Sequence, residues 1–579
     1  MNKLRIALRT HLDRLAERLA AMEALPQLAA LGMLSGLLAG AVIIAFRLVI
    51  DLGQAAYLPG GQPESFESLE PWLRLAATTA GGLLVGLLLQ ALSPAQRMVG
   101  VLHVMERLVY HQGHLPLRNL LTQFVGAAVC LVSGQSVGRE GPSIHLGAAS
   151  GSQVGQWLGL PNNSIRTLVA CGTAAAIAAS FNTPIAGVIF AMEVVMMEYT
   201  IAGFTPVILA AVSGTVLTRL IFGDATAFSV PPLDMHSLWD LPWLVVMGLL
   251  LGALSALFIR LLRTSSGMLT GSPLWLRTTL AGLLTGLLAM AVPQIMSVGY
   301  DTMSDVLLGQ VGLGLLLAIT AFKLLATTFG LGLGLPGGLI GPTLVIGAAA
   351  GGALGVLGGM LNPDHASAPG FYAMVGMAAM MSATLQAPLA ALMALLELTG
   401  NPNIILPGML AVVIANLVAR EVFHQESVYL ALMRTRGLDY RNDPVAQSLR
   451  RVGVAAVMER SFAECPPVLE RGAAEQLLTE NLRWLLVRED GHPLTLLPAA
   501  DLARALTENE QQTYDLLAIP ARRRDLAPIH LQATLQEALD ALQASRTDAL
   551  YVQRTTAPFI QRIYGVLTRE AMEENYRYR

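Results

Sequence analysis

The stretch Gly138-Arg139-Glu140-Gly141-Pro142-Ser143-Ile144-His145-Leu146-Gly147 sets an arginine and a glutamate between glycines, at the start of an apolar helical run. Long hydrophobic segments flank it on both sides. A charge at bilayer depth is costly, so such a pair reads by default as a functional site. Gly and Pro interrupt the helix there. The helix that follows begins with unbonded N–H groups and the positive end of its dipole. A broken helix whose N-terminus faces a cavity is suited to hold an anion. Glu140 is the first candidate, with the backbone of Gly138, Arg139 and Gly141 around it. The plain alternative, an ion pair between Glu140 and Arg139, is disfavoured because adjacent residues in broken backbone point apart.

The chain repeats this segment. A shift of 200 residues lays Gly138, Gly141, Pro142, Gly147, Ala148, Ala149 and Gly151 on Gly338, Gly341, Pro342, Gly347, Ala348, Ala349 and Gly351, with Ser143 on Thr343. A shift of 204 lays Gly172, Ala174, Ala175, Ala179, Pro184, Ala186 and Glu193 on Gly376, Ala378, Ala379, Ala383, Pro388, Ala390 and Glu397. Two blocks recur in the same order, which marks an internal duplication. A two-fold repeat of broken helices belongs to transporter-like folds with a site at the repeat interface. The Gly138 and Gly338 segments are therefore expected to aim two helix N-termini at one place, an arrangement that favours an anion.

The elements that must carry these segments are apolar runs near 27–50, 72–92, 116–133, 165–181, 184–197, 202–222, 241–264, 277–296, 308–330, 370–382, 386–400 and 403–423. Several fall short of the ~20 residues an upright span requires, so tilted or half-spanning helices are expected. Of the 579 residues, 54% are hydrophobic and 13% charged, against about 25% charged in ordinary soluble proteins. Residues 27–435 are read as an all-α polytopic membrane domain with an internal, inverted repeat and broken helices. Residues 1–26 carry Lys3, Arg5, Arg9, Arg14 and Arg18 among leucines. They form no compact apolar core and no cleavage site, so they read as a cytoplasmic amphipathic helix and not a signal peptide.

After Arg436 the chain turns charged, and residues 436–579 are read as a small α/β cytoplasmic domain, itself duplicated. Pro467–Leu469, Ala474–Leu478 and Leu485–Val487 read strand, helix, strand; Pro528–Leu531, Leu535–Leu539 and Leu550–Val552 read likewise. Each copy closes in a short helix, near 499–506 and 568–575. The net charge of −3 gives no reason to expect a nucleic-acid partner. Cys130, Cys171 and Cys465 lie far apart and make neither a disulfide framework nor a metal site. No HExxH, GxSxG or Walker loop is present, and no enzyme or metal centre is expected.

Gly138-Arg139-Glu140-Gly141-Pro142 is similar to a signature of the CLC family of chloride channels and chloride/proton exchangers. So is Gly338-Leu339-Ile340-Gly341-Pro342, preceded by Gly334-Leu335-Pro336-Gly337. The run from Gly172 through Pro184 to Glu193 resembles the next helices of that family, and Tyr429 sits where the family has its pore tyrosine. The resemblance covers roughly residues 30 to 435, and the C-terminal pair resembles two CBS modules. It implies a homodimer with one anion pathway per subunit, in the cell inner membrane, with both termini cytoplasmic. It implies that Glu140 is the gating carboxylate. Unprotonated, Glu140 would occupy the outer anion site as a tethered anion; protonation would free that site. The N–H groups of Arg139, Glu140 and Gly141 would face the outer site. Those of Leu339 and Ile340, with the Tyr429 hydroxyl, would line the central one.

Two positions depart from the family pattern. Val99, in Met98-Val99-Gly100-Val101-Leu102, stands at the serine of the first anion motif, which removes a hydroxyl donor from the central site. Val194 stands at the internal proton-transfer glutamate of the exchangers, as in channel-type members. Passive, channel-like chloride conduction is therefore expected, with a chloride/proton antiporter and a membrane ion sensor that transports little as alternatives. His145 is expected to be a packed, hydrogen-bonded histidine. Glu193 and Glu397 are expected to bond neighbouring backbone, and Met374, Met377, Met380 and Met381 to fill the core. No cofactor is expected. Nucleotide-binding CBS copies pair Ser/Thr with an Asp three residues on. Here Pro498 precedes Asp501 and Thr568 precedes Ala571, so a dimerisation or gating scaffold fits better than an adenine nucleotide site.

Overall fold

The computed structural model describes residues 25–199, 201–224, 228, 233–438, 444–557 and 560–577. The amphipathic segment expected at the N-terminus lies almost wholly outside them. By packing, the chain divides into a helical unit within residues 28–440 and a second unit that comprises residues 157–164 and the C-terminal region.

The helical part runs α1 (Leu25–Ala55), α2 (Pro71–Gln90), α3 (Gly100–Tyr110), α4 (Leu117–Val132), α5 (Glu140–Trp157), α6 (Asn162–Phe181), α7 (Pro184–Phe190) and α8 (Ile201–Phe222). It continues with α9 (Asp240–Gly267), α10 (Leu274–Ala291), α11 (Tyr300–Leu307), α12 (Leu313–Gly332), α13 (Ile340–Leu361), α14 (Pro369–Leu385), α15 (Pro388–Thr399), α16 (Ile405–Leu417) and α17 (Val428–Thr435). Among the described residues, nine helices are long and apolar enough to cross a membrane, and further apolar helices are shorter. This is a multi-pass membrane protein. The 22-residue α13 was not among the expected apolar runs, although its residues are as apolar as those of the other spanning helices.

Those small residues are what the packing uses. With lipid on one side and helix on the other, close backbone approach replaces hydrophobic burial as the source of helix association. A Cβ on Gly147 would stand 2.3 Å from the Gly172 carbonyl oxygen, and one on Gly172 would stand 2.0 Å from the Gly147 oxygen. Gly347 and Gly376 repeat this mutual contact at 2.5 Å each way. The sequence duplication is thus a duplication of crossing geometry: α5 meets α6 as α13 meets α14. Met374, Met377, Met380 and Met381 are buried in the main core, as expected.

The C-terminal region begins with α18 (Pro444–Arg450) and α19 (Val454–Val457), then builds β1 (Phe462–Cys465), β2 (Val468–Glu470), α20 (Arg471–Thr479), β3 (Trp484–Glu489), β4 (His492–Pro498), α21 (Ala499–Glu508) and β5 (Thr513–Asp515). The second copy is β6 (Arg524–His530), α22 (Leu535–Ser545), β7 (Ala549–Ala557), β8 (Ile560–Thr568) and α23 (Arg569–Arg577). A six-stranded sheet joins them in the order β1-β3-β4-β6-β7-β8. In each copy a parallel pair, β1·β3 or β6·β7, is followed by an antiparallel hairpin, β3·β4 or β7·β8. Strands β1, β4, β5 and β8 were not foreseen, and the strand expected at Pro467–Leu469 is β2, which pairs with β5 apart from the six-stranded sheet. α22 opens with a capping box between Thr534 and Glu537.

Candidate functional site

The two repeated glycine segments meet as the duplication implied. Gly138 N–H donates to the Gly338 carbonyl at 2.7 Å, and Gly338 N–H donates back to the Gly138 carbonyl at 2.8 Å. This short antiparallel bridge places the starts of α5 and α13 side by side. Side chains brace it. Gln123 Nε2 donates to the Pro336 carbonyl at 2.9 Å, and Thr327 Oγ1 donates to the Ser136 carbonyl at 2.9 Å.

Glu140 is the first residue of α5 and is fully buried. Its carboxylate turns away from its own helix and onto the other repeat. Oε2 accepts the Gly341 N–H at 3.0 Å, one of the unbonded donors at the start of α13. Oε1 accepts the Tyr300 hydroxyl. The glycines make this seat possible, because a Cβ on Gly138 would stand 2.3 Å from Glu140 Oε2, and one on Gly341 2.8 Å from it. The outer-site amides expected from the sequence were those of Arg139, Glu140 and Gly141; the amide that receives the carboxylate is that of Gly341, on the other repeat. Ile340 is buried at the first position of α13 and borders a small gap beside Glu140. Among the described residues, Arg139 and Glu140 form no ion pair within 4 Å. The Arg139 guanidinium lies 4.9 Å from the centre of the Tyr300 ring.

A cavity of about 600 Å³ gathers several of the remaining candidates: Val99, Gly141, Gly338, Leu339 and Tyr429 all line it. Arg97, Arg263, Arg277 and Arg436 line it too, with no acidic side chain among its lining residues. Such a cavity concentrates anions. The Tyr429 hydroxyl is buried and makes no hydrogen bond to any described group. Val99 caps the start of α3, and the loop before it is pinned by Asn119 Nδ2, which donates to the Ala95 and Met98 carbonyls at 2.8 Å each. Glu140, on the α13 amide, and Tyr429, in the cavity, thus flank the bridge of glycines.

Val194 is buried in a π-helical turn, Ala191–Met196. Its neighbour Glu193 accepts the N–H groups of Leu389 at 3.3 Å and Ala390 at 2.7 Å, at the start of α15. Glu397 returns the exchange, accepting Ile185 N–H at 3.0 Å and Ala186 N–H at 2.7 Å, at the start of α7. Each glutamate caps the other repeat's helix, which is the backbone role expected for both. His145 Nε2 lies 2.9 Å from His103 Nδ1, a buried hydrogen-bonded pair.

Tyr300 was missed. It lies 160 residues beyond its partner on the eight-residue α11, and nothing in Gly299-Tyr300-Asp301 signals a pore. Among the described residues no cluster of His, Cys, Asp or Glu could hold a metal ion. In the C-terminal region, Asp501 accepts Arg522 N–H at 2.9 Å, and the Thr568 hydroxyl accepts Ala571 N–H at 3.3 Å. Both side chains that a nucleotide would call on accept backbone N–H groups, Thr568 within its own turn and Asp501 from a residue 21 positions on.

Fold and site together define a duplicated helical membrane protein with two convergent helix starts around a buried carboxylate. The profile of the family described as Voltage gated chloride channel matches residues 81–420, and the chain belongs to that family, the CLC proteins. It is 35% identical over 382 residues to a ClcB-like chloride channel protein of Ralstonia nicotianae, covering 65% of this chain and 89% of the relative. It is 28% identical over 426 residues to an H(+)/Cl(-) exchange transporter of Vibrio cholerae, covering 69% of this chain and 89% of that one. A crystal structure of a eukaryotic CLC transporter aligns with a TM-score of 0.61 at 20% identity, over 95% of this chain and 99% of that chain. The alignment extends through the C-terminal α/β region, whose architecture is compatible with a CBS pair.

Proposed function

We propose that this protein conducts chloride, or a similar small anion, across the cell inner membrane through a pathway gated by Glu140, as a homodimer with both termini in the cytoplasm. The observation that carries this reading is the Glu140 carboxylate seated on the Gly341 amide. A carboxylate there is an anion held where a permeant anion would bind. Each competes with the other, and a proton on Glu140 removes the competitor. The arginine-rich cavity with the unpartnered Tyr429 hydroxyl is the approach to that position. The names of the relatives, a chloride channel protein in one case and an exchange transporter in the other, support an anion as cargo.

Passive conduction is the favoured mode. Val194 offers no proton acceptor, and the gap of about 20 Å³ beside Glu140 is bounded largely by apolar side chains, among them Ile177, Phe181, Phe190, Leu344 and Met381. Space of that size and lining holds no chain of waters. Proton-coupled exchange is the second reading, supported by the relative named as an H(+)/Cl(-) exchange transporter. Reversal potentials of the reconstituted full chain across a pH gradient separate the two. The channel reading expects no shift with the proton gradient at fixed chloride, and a shift contradicts it. The C-terminal pair is read as a scaffold for assembly or gating, without a bound nucleotide.

A further inference from the structure

The Tyr300 hydroxyl is the second donor to the buried Glu140 carboxylate, beside the Gly341 amide. It donates to Oε1 while Gly341 N–H holds Oε2. The phenol itself is fixed from several sides. Phe181 and Phe228 pack on its ring at centroid distances of 6.1 and 5.6 Å, and the Arg139 guanidinium covers it at 4.9 Å. The Tyr300 N–H donates to Glu64 Oε2 at 3.1 Å. Glu64 is anchored in turn, its N–H donating to Gln54 Oε1 at 3.0 Å, while Gln54 Nε2 donates to the Leu131 carbonyl at 2.9 Å. A side chain held this way places a hydroxyl donor at a preset position, at little cost in motion when the carboxylate arrives.

We propose that Tyr300 is a positioning residue that latches Glu140 in its seated, closed position; the proposal rests on the reading of Glu140 as the gate. A hydrogen bond donated to an ionised carboxylate is roughly twice as strong as one between neutral groups. The hydroxyl therefore favours the ionised, seated form over the protonated form that leaves. The other charged or titratable groups that face this pair are Arg139 on the preceding residue, Glu64 on the loop after α1, Lys323 on α12 and Tyr429 on α17. Lys323 Nζ donates to the Ile295 and Ser297 carbonyls at 3.1 and 3.2 Å. Tyr300→Phe leaves all four in place and removes only the donor.

The test is chloride efflux from liposomes containing the purified full chain, measured from acidic to neutral pH for wild type, Tyr300→Phe, Glu140→Gln and the double variant. Loss of one hydrogen bond to a charged group is expected to raise neutral-pH flux about tenfold. The flux of Tyr300→Phe is expected to depend less on acidification than that of wild type. In the Glu140→Gln background, Tyr300→Phe is expected to change nothing further. A pH profile for Tyr300→Phe that overlays wild type, while Glu140→Gln departs from it, overturns the latch and leaves the gate standing. An equal effect of Tyr300→Phe in both backgrounds also overturns it, since the residue would then act on the pathway and not on the carboxylate. Absence of flux from every variant overturns the transport reading and the latch with it.

Discussion

At the scale of single residues, the arrangement turns on where one carboxylate rests. Glu140 begins one repeat's helix and caps the other's, so its charge is stabilised by the dipole end and the free amide of α13. Tyr429 is its counterpart inside the cavity, a buried hydroxyl without a partner in the described chain. Tyr429→Phe therefore removes no internal hydrogen bond, and thermal unfolding of the solubilised protein is expected to be unchanged. If the hydroxyl serves the anion, chloride affinity measured by calorimetry is expected to fall about tenfold. Equal affinity in wild type and variant would take Tyr429 out of the site. Gly341 offers a second test. A Cβ there stands 2.8 Å from Glu140 Oε2, so Gly341→Ala is expected to unseat the carboxylate and raise neutral-pH flux. Flux at the wild-type level would show that the seat does not hold the gate.

At the scale of elements, the duplication acts through helix crossings and exchanged caps. Gly347→Ala puts a Cβ 2.5 Å from the Gly376 carbonyl, whereas Gly359, on the same helix, has nothing within 4 Å of a Cβ. Gly347→Ala is expected to lower the melting temperature in detergent, while Gly359→Ala is expected to leave it unchanged or raise it, since alanine gains about 0.5–1 kcal/mol over glycine in a helix. Equal effects would mean that the crossing is not tight. Glu193→Ala and Glu397→Ala each orphan two helix-start amides. Each is expected to cost about 1–3 kcal/mol, and by the symmetry of the repeat the two costs should match. The sequence exposed this layer well, because a repeat of glycines, prolines and glutamates in fixed order is itself a record of contacts. It exposed α13 only through the repeated glycines at its start, although the helix is as apolar as the other spanning helices. It did not expose Tyr300, whose partnership with Glu140 spans 160 positions and depends on the turn before α11. Strands β4 and β8 escaped for a similar reason, since each is defined by pairing with β3 or β7 more than by its own pattern.

At the scale of the whole molecule, the reading is a membrane pathway duplicated in sequence and closed at the seam between its halves. Membership of the CLC family sets the class, and at the seam two helix starts meet, with the Glu140 carboxylate seated on a free amide of one of them. The C-terminal region adds a second duplication with its own core. Because Asp501 and Thr568 already accept backbone N–H groups, adenine nucleotide added to the purified chain is expected to leave its melting temperature unchanged. A saturable rise would restore a ligand site to this region.

The most direct test of the gate is chloride efflux from proteoliposomes of the full chain and of Glu140→Gln, compared across pH. Wild-type flux is expected to be low at neutral pH and to rise on acidification. Glu140→Gln, which keeps the shape of the side chain and removes its charge, is expected to conduct at all pH values without that rise. A Glu140→Gln profile that retains the wild-type acid dependence would show that this carboxylate is not the gate.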